Sequence, residues 1–286
     1  MNNYKSIWKY LFRTPHRLNW VDVNGVSTRY LEAGKPGAPV VIFLHGTAGS
    51  LENFCANYAA YAEHFHVFGI DMLGCGATDK PEYDYLIPNY AEHVLGFMDA
   101  VGVQSASLVG VSLGSWVAAQ AAYNAPARVE KLILIAPAGI IVDPEEERRV
   151  AEGVRKRRSA AATTPSWETV QTAMSGLMLK PEDLIDDLIA IRLDIYQDPR
   201  MQAAMPRLLA FSLGGQDLKP EQWRSLQQPM LSIAAVDAPN MFLRNAYAIA
   251  ETAPNVELVE MSGCDHWAQF EQADAFNELS INFLKR

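Results

Sequence analysis

The 286-residue sequence has few cysteines and a deficit of positive charge. Its cysteines are Cys55, Cys75 and Cys264, an odd number at wide spacing that fits neither a disulfide framework nor a zinc site. The formal net charge of -9 gives no basic footprint for nucleic acid. We therefore expect a protein of the reducing cytoplasm with no nucleic-acid partner, no metal and no cofactor.

Long hydrophobic runs are also missing. No stretch is long and apolar enough to cross a bilayer, and the start lacks an apolar signal core followed by a small-residue cleavage site. We expect no integral membrane span. Apolar residues make up 49% of the chain, which is enough for a large core, so one main domain is expected instead of two.

The first 17 residues mix aromatic, aliphatic and basic side chains in a pattern compatible with a helix. Such a segment could dock on a membrane, on a second subunit or on its own core. Packing on its own domain or on a dimer partner is favoured, because helices that lie on membranes generally have a longer or more basic face. The sequence therefore leaves open whether the protein forms a homo-oligomer.

Short apolar runs alternate with helical stretches over most of the chain. The predicted strands are residues 28–32, 40–44, 66–70, 107–110, 131–135, 230–234 and 256–260. Runs rich in Val, Ile and Leu suit strands that are buried on both faces. The alternation predicts an α/β fold with a mostly parallel central sheet flanked by helices, and functional groups at the carboxyl ends of the strands.

The strand pattern stops between residues 143 and 223, where charged and amphipathic helical stretches replace it. We interpret this part as a helical lid inserted into a core domain formed by residues 1–142 and 224–286. The basic run at residues 155–158 is interpreted as a solvated helix face.

Residues 110–114 read Gly-Val-Ser-Leu-Gly, a G-x-S-x-G pattern between an apolar run and a helical stretch of small residues. Strand, sharp turn and helix form the context of a nucleophile elbow, in which glycines on both sides relieve crowding at a strained serine. Ser112 is therefore the leading nucleophile candidate. The pattern alone also fits an ordinary turn.

A serine nucleophile needs a base, and His266 is the best candidate. It lies in a loop after the last strand and before the final helix. His45 follows an early strand and precedes a glycine, so we interpret it as shaping the loop that binds an oxyanion and not as the base. The other histidines, His16, His64, His66 and His93, are interpreted as surface or core residues.

The acid of such a triad leaves a strand between the serine and the histidine. Asp237 fits, because the strand at 230–234 ends just before it. A carboxylate there would fix one tautomer of His266 and stabilise its imidazolium form. Asp265 is adjacent to the histidine and could hardly turn back to orient its ring, and Asp217 belongs to the lid's exit. A helix cap or turn aspartate is the alternative for Asp237.

Two backbone amides are predicted to form an oxyanion hole. The N–H of Leu113 lies at the start of the helix after Ser112, where unpaired amides and the helix dipole favour negative charge. The second N–H is assigned to Thr47, in a loop that Ala48 and Gly49 keep small.

With these residues in place, the chain resembles the α/β-hydrolase superfamily over nearly its full length. Within it the chain is most similar to meta-cleavage-product hydrolases, which cut carbon–carbon bonds in ring-fission products of aromatic degradation. Residues 264–271, Cys-Asp-His-Trp-Ala-Gln-Phe-Glu, resemble that group's C-G-H-W-A-Q-W-E segment, and residues 165–169 resemble its lid opening. Residues 71–76 match a superfamily motif that says little about substrate.

The resemblance implies a set of substrate contacts. Arg192 aligns with a lid arginine that meets the substrate carboxylate, Asn53 with an asparagine after the oxyanion loop, and Trp267 with a tryptophan after the catalytic histidine. Val111 departs from the family's asparagine before the nucleophile and cannot donate the same hydrogen bond. Residues 234–238, Ala-Ala-Val-Asp-Ala, depart from the usual G-x-D-D.

Helical geometry gives Arg192 independent support. If residues 184–197 form a helix, apolar side chains make one face and several aspartates the other, and Arg192 falls on the apolar side. A buried arginine needs an anionic partner. That partner would be a bound carboxylate or, alternatively, a carboxylate of the lid or sheet.

Three functional classes follow from the sequence. The preferred one is a serine-dependent carbon–carbon hydrolase acting on a small 2-hydroxy-6-oxo-dienoate. The second is a carboxylesterase or lactonase with the same triad, which the valine before the nucleophile favours. The third is a noncatalytic binding protein, and the complete set of Ser112, Asp237 and His266 counts against it.

Overall fold

A computed structural model describes residues 6–286, and an eight-stranded sheet forms their centre. The strand order is β1-β2-β4-β3-β5-β6-β7-β8. The first two pairings, β1 with β2 and β2 with β4, are antiparallel, and all the others are parallel. The strands are β1 His16–Val23, β2 Val26–Gly34, β3 Val40–Leu44, β4 His66–Ile70, β5 Ala106–Val111, β6 Val129–Ile135, β7 Met230–Ala235 and β8 Val256–Met261.

Helices flank this sheet. They are α1 Trp8–Leu11, α2 Tyr58–Ala62, α3 Ile87–Ala100, α4 Leu113–Asn124, α5 Pro144–Thr163, α6 Trp167–Ser175, α7 Asp186–Gln197, α8 Pro199–Leu208, α9 Pro220–Ser225, α10 Met241–Thr252, α11 Ala268–Glu271 and α12 Ala273–Lys285. Every residue of β5 is buried, α4 packs on β5 and β6, and α10 packs on β7 and β8. Coverage of both faces explains why the central strands are continuous apolar runs.

All seven predicted strands are present, which confirms the prediction of a mostly parallel α/β sheet. The eighth strand, β1, was missed because most of its residues are exposed and polar or aromatic, so the strand lacks an apolar run.

The N-terminal segment forms a helix only from Trp8 to Leu11, and a strand already begins at His16, so the prediction of a helix-like segment through residue 17 is too long. Residues 1–5 of that prediction lie outside the described residues. Ile7 is buried in the domain core with Leu11, and its amide donates to Asp187 Oδ2 of α7 at 2.9 Å. The segment therefore packs on its own domain.

Helices α5 to α9 lie between β6 and β7, in the part of the sequence interpreted as an inserted lid. An ion pair between Glu146 of α5 and Arg244 of α10 joins this helical part to the core. Within residues 6–286, none of the helices combines the length and apolarity needed to pass through a bilayer.

Candidate active site

Ser112 occupies a sharp turn between β5 and α4, with φ 56° and ψ −117°. The flanking glycines are required by close packing. A Cβ on Gly110 would lie 2.3 Å from the carbonyl carbon of Gly114, and one on Gly114 would lie 2.1 Å from the carbonyl oxygen of Leu44. The turn is fixed by the Ser112 amide, which donates to the Ile135 carbonyl at 2.9 Å. Strain held in place by surrounding contacts is typical of functional positions.

The two amides predicted for the oxyanion hole lie beside this serine. Thr47 and Leu113 line one cavity together with Ser112. Among the described residues neither amide donates a hydrogen bond, as expected for Leu113 at the first position of a helix. Both N–H groups are therefore available to an oxygen bound next to the serine.

His45 holds the loop that carries Thr47. The amide of Met72 donates to His45 Nε2 at 3.0 Å, so Nδ1 carries the hydrogen and donates to the Gly46 carbonyl at 2.7 Å. Burial lowers the pKa of His45 to about 4, which keeps the ring neutral. The ring thus joins the ends of β3 and β4, as its interpretation as a loop-shaping residue requires.

Asp71 gives the same region a second support that sequence reasoning passed over. Its carboxylate accepts from the amides of Leu51 and Ala77, each at 2.8 Å, and from Arg29 Nε at 2.6 Å. The superfamily motif at residues 71–76 was the signal for this residue. Its contacts tie the segment after the oxyanion loop to the sheet.

His266 lies in the loop between β8 and α11 and lines a cavity with Ser112. Its ring packs edge-on against Phe242, with the centroids 4.4 Å apart. Burial lowers the pKa of His266 to about 3, and the nearby charge of Arg158 acts in the same direction. The imidazole is therefore neutral in the free protein, which is the form a general base needs, while the same burial disfavours its protonated form.

The structure does not bring Asp237 to this ring. Asp237 is exposed, and its Oδ2 accepts from the Gly263 amide at 2.7 Å. In residues 6–286 the His266 ring makes no hydrogen bond to any carboxylate, and Asp265 accepts instead from Asn240 at 3.0 Å. The short Ala-Pro segment after Asp237 turns the chain directly into the cap of α10. The assignment of Asp237 as the triad acid stays a prediction from sequence.

The predicted substrate residues divide into two groups. Arg192, Asn53 and Trp267 all line the cavity of Ser112 and His266, and Arg192 Nη2 donates to Asn53 Oδ1 at 3.3 Å. Val111 is fully buried and is absent from the described walls of the site, because its strand position points into the core. Its prediction as a substrate contact is not supported by this placement.

Ser112 and Thr47 line both of two adjoining cavities. One has a volume of about 110 Å³ and contains the polar residues Arg192 and Asn53. The other has a volume of about 400 Å³, runs along α5 and is largely apolar. Glu147 on its wall has a pKa raised to about 7, mainly by burial and further by the charge of Asp217. The serine thus faces a small space lined by buried arginines on one side and a larger, mainly apolar space on the other. The wall of the larger space also carries the charged residues Glu147, Arg148, Glu152, Arg155 and Asp217.

Arg158 is the site residue that sequence reasoning missed. The interpretation of residues 155–158 as a solvated face is wrong for this residue, which is only 7% exposed and lines the smaller cavity. The helical spacing could have indicated this burial, because Arg158 lies four residues after Val154 and three before the buried Ala161, on the same face of the helix.

Comparison with known proteins places the chain among hydrolases. Residues 39–273 match the model of the alpha/beta hydrolase fold family. The chain is 28% identical over 265 residues to a dihydrolipoyllysine-residue acetyltransferase component of the acetoin cleaving system of Cupriavidus necator, covering 91% of this chain and 67% of that protein. It is 27% identical over 272 residues to a 2-hydroxy-6-oxo-6-(2'-aminophenyl)hexa-2,4-dienoic acid hydrolase of Metapseudomonas resinovorans, covering 93% and 90%.

Among solved structures, a serine hydrolase involved in carbazole degradation superimposes with a TM-score of 0.80 and 26% identity, covering 95% of this chain and 99% of that chain. The family match covers most of the chain and agrees with the elbow, the oxyanion loop and the sheet. The chain belongs to the α/β-hydrolase fold family.

Proposed function

We propose that this protein is a serine hydrolase that cleaves a carbon–carbon bond in a meta-cleavage product of the 2-hydroxy-6-oxo-dienoate type. The observation that carries the proposal is the position of Ser112 between a small cavity with buried arginines and a larger apolar cavity. A dienoate acid has this division, with a charged end and an apolar acyl group joined at a ketone. The dienoic acid hydrolase that is 27% identical to this chain supports the same assignment.

The charged end is assigned to the smaller cavity. Arg192 is 3% exposed and forms no ion pair within the described part of the chain, so a substrate carboxylate would supply the anion that its burial requires. Asn53 and Trp267 complete this side of the site in the proposal. The acyl group then extends into the larger cavity.

The reaction follows from these positions. His266 helps move a proton from the dienol oxygen to the carbon chain, which turns the dienol into a ketone. Ser112 Oγ attacks the distal carbonyl carbon, its proton passes to His266, and the amides of Thr47 and Leu113 stabilise the oxyanion. The carbon–carbon bond breaks, its electron pair takes a proton on the released enoic acid, and water then hydrolyses the acyl-serine.

A carboxylesterase or lactonase is the second candidate. The larger cavity would accept an apolar ester, whereas Val111 is buried away from both cavities and favours neither candidate. The same nucleophile and oxyanion amides would serve this reaction.

We also propose a reducing, cytoplasmic site of action, because Cys55, Cys75 and Cys264 are all free thiols.

A side-by-side assay distinguishes the two candidates. The enzyme is given a yellow ring-fission dienolate and a series of short acyl esters at matched concentration. We expect bleaching of the dienolate with the higher kcat/KM, and losses of about 10³-fold or more in Ser112→Ala and in His266→Ala. Turnover of esters without bleaching would move the assignment to an esterase, and inertness toward both substrates and toward a fluorophosphonate probe would indicate a noncatalytic protein.

A further inference from the structure

Arg158 of α5 is a buried arginine without a counter-ion among the described residues. It is 7% exposed, and its Nη1 is shielded from solvent and has no hydrogen-bond partner. The Tyr196 hydroxyl lies close enough to stabilise its charge, but no carboxylate in residues 6–286 forms an ion pair with it. Burial lowers the pKa of Arg158, and the charge of Arg192 contributes in the same direction. A buried charge without a counter-ion is strongly unfavourable. A group that costs so much in the free protein is expected to have an anionic ligand.

Arg192 of α7 faces the same small cavity. Its Nη2 reaches Asn53, its Nε has no described partner, and its guanidinium lies over the ring of Tyr196, 5.7 Å from the centroid. Two guanidinium groups from different lid helices therefore share a space of about 110 Å³. One carboxylate would neutralise only one of them.

The other charged groups around this cavity do not pair with either arginine. Asp265 is the acidic residue on its described wall, and its Oδ1 is occupied by Asn240. Arg157 adds a further positive charge at the exposed edge. The described walls therefore carry an excess of positive charge, and both buried arginines retain a donor atom without a hydrogen-bond partner.

We propose that Arg158 and Arg192 together form a binding site for a substrate that carries two negative charges next to the scissile ketone. The inference deepens the proposed function, on which it rests, by assigning the second negative charge of the substrate to Arg158. The second charge comes either from an oxyanion beside the carboxylate, as in an ionised dienol, or from a second carboxylate. Arg158 is the residue that selects it, because Arg192 already accounts for one carboxylate.

Dianion binding also prepares the base. The positive charge of Arg158 disfavours protonation of His266, and no carboxylate in the described chain is bonded to that ring. A bound dianion compensates Arg158 and stabilises an imidazolium, as a nearby negative charge does in general. The substrate would thereby supply part of the charge that a triad acid normally provides.

The test uses binding instead of turnover, so that it stands apart from the cleavage assay. The Ser112→Ala protein is titrated calorimetrically, at fixed ionic strength, with two matched pairs of probes. trans,trans-Muconate and sorbate differ by one terminal carboxylate, and oxalate and acetate compare a compact dianion with a monoanion. We expect at least one dianion to bind about 10-fold more tightly than its monoanion partner.

Arg158→Met in the same background should weaken that dianion by about 10- to 100-fold and leave the monoanion nearly unchanged. Arg158→Lys should retain part of the preference, because the charge remains. Arg149→Gln is the matched control, since Arg149 lies on the same helix with a side chain 78% exposed and should change neither affinity.

The pattern of affinities also locates the second charge. A preference for muconate indicates a second carboxylate, and a preference for oxalate indicates an oxyanion beside the first; either supports the proposal. No preference for dianions, or an equal effect of Arg158→Met on both members of a pair, would overturn it. The melting temperature of Arg158→Met should not fall, because an unpaired buried charge is removed; a fall together with loss of preference in Arg158→Lys would assign the residue a structural role.

Discussion

At the scale of single residues, the site depends on backbone groups more than on side-chain pairs. Ser112 is held by its own amide and by packing that only glycine permits at positions 110 and 114. His45 is fixed by two backbone groups, at Gly46 and Met72. His266, in contrast, is placed by burial and by the ring of Phe242. Ser112 and the predicted oxyanion loop are therefore held by hydrogen bonds and close packing, whereas no hydrogen bond within residues 6–286 fixes the ring of His266.

Asp237→Asn tests whether a carboxylate orients His266. An asparagine can still accept the Gly263 N–H, so the loop contact survives the change. On this geometry we expect kcat/KM to stay within about 10-fold of the wild type, since loss of a triad acid costs far more.

Asp237→Ala is the companion variant, because it removes the loop contact as well and should lower the melting temperature slightly. A loss of about 10³-fold or more in Asp237→Asn, with unchanged melting temperature, would show that the loop at 236–240 brings the carboxylate to the imidazole in solution.

At the scale of elements, the oxyanion loop between β3 and the 3₁₀ turn Leu51–Phe54 is tightly folded, with its backbone close to the side chains of His45 and Asn53. Ala48 has φ 52°, and a Cβ on Gly49 would lie 2.7 Å from both His45 Nδ1 and Asn53 Oδ1. Asn53 also accepts from the Ser50 amide at 3.0 Å. The loop can therefore present an amide to the substrate only in this compact form.

Thr47→Pro and Thr47→Ala form a matched pair for this loop. The alanine variant keeps the N–H, so most of the activity should remain. The proline variant removes it and should reduce kcat by about 10²-fold or more, the effect of losing one oxyanion donor.

The melting temperatures of both variants provide the control, since the Thr47 amide donates to no described residue and its loss removes no hydrogen bond of the fold. Severe and equal losses in both variants would show instead that the threonine hydroxyl takes part in the reaction.

At the scale of the whole molecule, buried neutral histidines make the fold sensitive to acid. Burial lowers the pKa of His93 to about 4 and that of His45 to about 4. The unfolded chain takes up these protons near pH 6.5, and the folded chain takes them up only near pH 4. Their contribution to stability is therefore complete above pH 6.5 and is lost as the pH falls toward 4. Glu147, with a raised pKa, acts in the opposite sense between its unfolded value and about 7.

His93→Gln isolates one of these groups far from the active site. His93 packs against Thr28 Oγ1 at 2.8 Å, a contact that a glutamine amide can replace. Between pH 7 and pH 5 we expect the wild type to lose ~2 kcal/mol more unfolding free energy than the variant. Urea titrations at the two pH values measure this difference, and parallel losses in both proteins would show that His93 is protonated in the folded state.

The sequence alone indicated the order of elements and the candidate nucleophile, Ser112. Buried parallel strands need continuous apolar runs, so seven strands could be located, and a G-x-S-x-G turn between a strand and a helix is typical of a nucleophile elbow. Strand β1 was not predicted, because an edge strand with mostly exposed residues has no continuous apolar run.

Only the tertiary structure decided which charged residues share the site. Whether Arg158 faces solvent or a cavity depends on how α5 lies over the sheet, and whether Asp237 reaches His266 depends on the path of the loop that leaves β7. Both are set by contacts between segments that are distant in sequence, which local patterns do not encode. For the same reason the sequence did not show that Val111 faces the core, because its neighbours belong to another strand, β6.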